Sequence, residues 1–73
     1  MTELGIFLSK KSASKAEISK KTGISKSRMS ELTLNPSTQL RLREFYLIAL
    51  ALDVDPCEML NEICQHVKLV ESK

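Results

Sequence analysis

The sequence is defined first by what it lacks. Of its 73 residues none is tryptophan, and there are two glycines, two prolines, two cysteines, one histidine and three aromatics. So few glycines and prolines, with no β-branched alternation, leave little to build strands and turns from, and helices are favoured. Cys57 and Cys64 stand seven residues apart in what reads as one helix. At ~1.5 Å rise per residue that separation is about 10 Å, too long for a disulfide within the chain. With a single histidine, His66, four zinc ligands cannot be assembled, and no metal or other cofactor is expected. No apolar run approaches the ~20 residues that span a bilayer, and Met1-Thr2-Glu3-Leu4 carries no secretory pattern. Reduced cysteines and this start lead to the expectation of a cytoplasmic protein, in a bacterial-type cytosol or nucleoid, with no membrane partner. A nucleophile–base pair, a carboxylate dyad and a glycine-rich phosphate loop are also missing, so an enzyme is not expected, nor a small-molecule ligand.

What is present is an apolar fraction of 42%, enough for a core and too high for a disordered tail. One domain over residues 1–73 is expected, ordered over about 3–67 and frayed beyond. The formal charge of +2 conceals a division. Residues 1–43 hold nine basic against three acidic side chains, a net of +6, and residues 44–73 hold two against six, a net of −4. Such asymmetry suits a basic face turned to a polyanion and an acidic face turned away.

Five helical segments can be placed. Leu4, Phe7 and Leu8 form an i, i+3, i+4 stripe over about Glu3 to Lys11. Ser14, with Glu17 three residues on, is a capping box that opens a second helix ending near Thr22, where Gly23 supplies a residue tolerant of positive φ. Ser25 caps a short third helix, about 26–33, with Met29 and Leu32 inward. Asn35-Pro36-Ser37 reads as a loop, followed by a fourth helix from about Gln39 to Leu52. Asp55-Pro56 starts a fifth, whose stripe is Met59, Leu60, Ile63 and Val67.

Two short helices joined at a glycine, with Ile18, Ile24, Met29 and Leu32 as shared core, describe a helix-turn-helix. From Ser14 to Leu32, Ser-Lys-Ala-Glu-Ile-Ser-Lys-Lys-Thr-Gly-Ile-Ser-Lys-Ser-Arg-Met-Ser-Glu-Leu, the chain resembles the Cro and phage-repressor-like (XRE-type) helix-turn-helix family. The likeness continues through Ile48-Ala49-x-Ala51-Leu52-x-Val54 and the capped fifth helix, covering about residues 3–64. It implies an all-α five-helix bundle whose second and third helices form the helix-turn-helix, and a small transcription regulator that binds double-stranded DNA with the third helix in the major groove. Carried over by position, Lys15 and Ser25 become phosphate contacts, and Lys26 and Ser27 base readers. Arg28 reaches a base or a flanking phosphate, Glu31 faces the groove, and Arg41 and Arg43 contact the backbone. Two departures stand out. Thr33-Leu34-Asn35-Pro36 replaces the common Glu-Asn-Gly, leaving open which of Thr33, Asn35 and Thr38 touch DNA, and Lys15 replaces the usual Gln.

Lys20 and Lys21 read more simply as a solvated face, and Tyr46 as a half-buried core edge. On the fourth helix, Phe45, Ile48, Ala49 and Leu52 form the core stripe, while Leu47 and Leu50 lie opposite with Ala51 nearby. These three are dimer-interface candidates, and a homodimer matches palindromic operators. A protein-interaction module, antitoxin-like or a co-regulator, is the alternative use of the same fold.

Overall fold

The computed structural model describes residues 1–70, and within them five helices and no strand: α1 (Glu3–Lys10), α2 (Lys15–Thr22), α3 (Lys26–Leu34), α4 (Leu42–Leu52) and α5 (Pro56–Ile63). Short polar side chains start most of them. Thr2, Ser14, Ser25 and Asp55 accept from the backbone N–H of Gly5, Glu17, Arg28 and Cys57, each meeting a donor that the first helical turn leaves unpaired. Thr2 does more than cap. Its hydroxyl donates to the Leu32 carbonyl at 2.7 Å and its N–H to the Thr33 carbonyl at 2.9 Å, tying the start of α1 to the end of α3.

The core is drawn from every helix: Leu4, Phe7 and Leu8, then Ile18 and Ile24, Met29 and Leu32, Phe45, Ile48 and Ala49, and finally Met59. Met29, Ile48, Ala49 and Met59 are fully enclosed, so α3, α4 and α5 are each anchored by at least one side chain without solvent contact. The stripe positions expected inside on α1 to α3, and Phe45, Ile48 and Ala49 on α4, are inside, whereas on α5 only Met59 is buried and Leu60 is 48% exposed. Thr33 is buried as well, and its hydroxyl is satisfied by the Met29 and Ser30 carbonyls at 2.9 and 3.2 Å. It therefore lies out of reach of a nucleic acid.

Three expectations are corrected. Helix α4 begins at Leu42, not Gln39, because Arg41 is extended (φ −76°, ψ 150°) and its N–H donates to the Glu44 carboxylate at 3.0 Å, making Arg41 the N-cap. Helix α5 ends at Ile63, and Val67 is 73% exposed rather than part of a buried stripe, since the backbone leaves helical geometry at Cys64 (φ −100°, ψ 14°) and the register that would turn Val67 inward is lost. Tyr46 projects outward, with Leu42 and Leu50, as an exposed i, i+4, i+8 row on α4. The far end of the expected frayed tail, residues 71–73, lies outside the described residues. No described helix is long and apolar enough to cross a membrane, and no group of three or more potential metal ligands occurs among the described residues.

Candidate nucleic-acid interface

The turn between α2 and α3 fixes how α3 is presented. Gly23 adopts φ 81°, a left-handed conformation that costs glycine little and a Cβ-bearing residue more. Around it Thr22 donates to the Ile18 carbonyl at 2.7 Å and accepts from Ile24 N–H at 3.1 Å, while the Ser19 hydroxyl donates to the Ile24 carbonyl. Small hydroxyl side chains thus satisfy the turn's backbone groups from within, leaving its outer surface open.

Ser25 then caps α3, its hydroxyl accepting from Arg28 N–H at 3.1 Å. Helix geometry leaves the N–H groups of Lys26 and Ser27 without intrahelical acceptors, and they open toward solvent at the positive end of the helix dipole. With Met29, Leu32 and Thr33 turned inward, the opposite face of α3 carries Ser27, Ser30, Glu31 and Leu34, all exposed, with Lys26 beside it. Ser30 and Leu34 were not singled out from sequence. Helical angle from Ser27, at i+3 and i+7, was the available signal.

Around α3 the basic side chains fall into two places. Ser25, Arg28, Arg41 and Arg43 meet in one shallow hollow between the N-termini of α3 and α4, which Glu44 and Leu47 also line. Lys15 lies at another edge, sharing a small recess with Thr33 and Leu34. Lys20 and Lys21 are exposed on the last turn of α2. Not every base of the N-terminal half belongs to this side. Lys10 pairs with Glu62 at 3.5 Å, and Lys11 lies with Asp53, Asp55 and Glu58, so these two lysines at the end of α1 sit on the acidic flank.

Arg28, expected to reach a base or a flanking phosphate, is hydrogen-bonded within the protein. Its Nε donates to Glu44 Oε2 at 2.8 Å, and its Nη2 donates to Glu44 Oε1 and to the Gln39 carbonyl, both at 2.9 Å. Glu31 stands 3.8 Å from the remaining Nη1. Only 12% of the Glu44 side chain and 24% of the Arg28 side chain are exposed. The hydrogen bond from Arg28, aided by Arg41 N–H and by the arginine charges, holds the Glu44 carboxyl below the usual glutamate range against the opposing effect of burial. The same bond raises the already high Arg28 pKa.

The dimer candidates divide. Leu50 is 56% exposed, Leu47 is half-buried at the edge of the arginine hollow, and Ala51 packs partly against the core.

The sequence profile of the Cro/C1-type HTH DNA-binding domain matches residues 3–65, nearly the whole chain. No curated protein and no solved structure matches it. An all-helical fold, a glycine-turned α2–α3 pair and a profile match across all five helices agree: the chain belongs to the Cro/C1-type helix-turn-helix family of DNA-binding domains.

Proposed function

We propose that this domain is a small transcription regulator that recognises a specific duplex sequence by laying α3 in the major groove. The observation that carries the reading is the composition of the exposed α3 face. Ser27, Ser30 and Glu31 offer hydroxyls and a carboxylate to base edges, Leu34 offers an apolar contact for a thymine methyl, and Lys26 stands at the N-terminal end. Glu31 accepts from cytosine N4 and repels misplaced phosphate, which sharpens selectivity rather than affinity. Lys15, Ser25, Arg41 and Arg43, on either side of that face, are the phosphate contacts that set register on the duplex.

In this reading the protein acts as a homodimer in the cytosol or nucleoid. The outward row Leu42, Tyr46 and Leu50 on α4 supports it, because a monomer leaves that apolar surface in water. Leu47, half-buried, borders the row, and Ala51 packs partly against the core beside it. A two-fold pairing would set two α3 helices about 34 Å apart, one turn of DNA. The same row favours the second reading, a protein-interaction module that uses its helices on another protein and reads no DNA.

Fluorescence anisotropy of a labelled duplex across a salt series separates the two. The DNA reading expects binding at low salt and a linear fall of log affinity with log salt, with a slope of roughly −0.9 per phosphate contact. Absence of binding at low salt would select the protein-interaction reading.

A further inference from the structure

We propose that Arg28, which stands on the recognition helix at a base-reading register, is instead a positioning residue that acts through Glu44. A guanidinium has five N–H donors in a planar fork, and three of them are committed: Nε and one Nη2 hydrogen to the two Glu44 oxygens, the other Nη2 hydrogen to the Gln39 carbonyl. Reading guanine takes two free donors side by side on one edge. The Nε/Nη2 edge is filled by the carboxylate, and the Nη1/Nη2 edge has lost its Nη2 half to Gln39. Neither edge keeps a pair. The two free donors are both on Nη1, beside Glu31.

The contacts that remove Arg28 from readout give it another task. Arg28 belongs to the first turn of α3, Gln39 to the loop, and Glu44 to the first turn of α4. Glu44 Oε1 also accepts Arg41 N–H, so one arginine–carboxylate unit holds together the N-cap of α4, the loop before it and the exposed helix. Arg41 and Arg43 flank this unit, and Ser25 lies across the same hollow. The pair therefore sets where the phosphate-contacting groups stand relative to the base-reading face. It also neutralises a carboxylate that would otherwise oppose phosphate within a basic surface. A bidentate, largely enclosed pair suits this role because its geometry is planar and fixed.

The inference rests on the DNA-binding reading, and its test separates the two. Arg28→Met, Glu44→Met and the double variant are compared with the parent on a selected operator and on a scrambled duplex, at a temperature where circular dichroism shows each folded. Arg28→Lys and Glu44→Gln serve if a methionine variant melts. Both singles are expected to lose about tenfold on both duplexes, the scale of a lost charge-assisted pair, with the operator-to-scrambled ratio kept and the double variant no worse than either single. The loss in Glu44→Met is the telling arm, since deleting an acidic group near DNA should otherwise tighten binding. Arg28 is a base reader after all if Arg28→Met collapses the ratio while Glu44→Met binds as well as the parent or better. Unchanged affinity in all the folded variants would reduce the pair to a stabilising contact and overturn the proposal. A parent that binds neither duplex at low salt would refute the DNA reading itself. The proposed pin then stands or falls on melting temperatures, where additive losses in the double variant overturn it.

Discussion

Gly5 of α1 lies so close to Thr33 of α3 that a Cβ at Gly5 would overlap the Thr33 carbonyl oxygen. The obstacle is backbone, and that same carbonyl already accepts Thr2 N–H, so it has little freedom to retreat. In an exposed helix interior, glycine to alanine is worth about 1 kcal/mol of added stability. Gly5→Ala is expected to reverse the sign, costing roughly 1–3 kcal/mol as the helices are forced apart. Chemical denaturation checks it, and a more stable variant would show that α1 and α3 do not approach in this way.

Two helices have left-handed C-cap residues of opposite suitability. Gly23 has φ 81° with open space around it, and Asp53 has φ 57° with a Cβ and a carboxylate at the negative end of α4. Gly23→Ala should therefore cost about 1 kcal/mol through backbone strain alone, and Asp53→Gly should gain about 0.5–1 kcal/mol. Thermal melts of both variants, expected to move in opposite directions, provide the measurement.

The depressed Glu44 pKa has a consequence for acid stability. A carboxyl that binds its proton less readily in the folded state than in the unfolded one stabilises the fold above its unfolded pKa, about 4.3, and that contribution fades as pH falls through the lower folded value. The gap in melting temperature between the parent and Glu44→Gln should be full at neutral pH and shrink below about pH 4. A gap that stays constant down to pH 2 would mean that the pair adds nothing through ionisation.

How far this was legible beforehand depends on the range of each interaction. Ser14, Gly23, Ser25 and Asp55-Pro56 act within a few residues of themselves, so their roles as caps and turn could be read directly, and helical periodicity placed Ile18, Met29, Leu32 and Ile48 in the core. Arg28 and Glu44 are sixteen residues apart, and nothing local marks them as partners. With that pairing invisible in the sequence, Arg28 reads only as a side chain free to reach a base or a flanking phosphate, and the Glu44 bond to Arg41 N–H likewise shifts the start of α4 from Gln39 to Leu42. Gly5 escaped notice for the same reason, since the demand on it comes from Thr33, twenty-eight positions away. The exposure of Tyr46 followed from how little core a chain this short can extend over its last helices, and that of Val67 from the loss of helical register at Cys64.

The proposed dimer carries its own prediction. Leu42 and Leu50 are exposed, so a charge at either should leave the core intact, whereas Leu47 is half-buried and would confound the result. Leu42→Glu/Leu50→Glu is expected to sediment as a monomer with parental helicity and weaker operator binding. A parent that is monomeric at tens of micromolar would contradict the dimer.

The central claim, that the exposed face of α3 meets the bases, is tested most directly by amide chemical shifts of labelled protein titrated with operator duplex at moderate salt. The largest changes are expected at Lys26, Ser27, Ser30, Glu31 and Leu34, with smaller ones at Lys15, Arg41 and Arg43, and none on the acidic flank around Asp55 and Glu58. Changes confined to Leu42, Tyr46 and Leu50, with α3 silent, would contradict it.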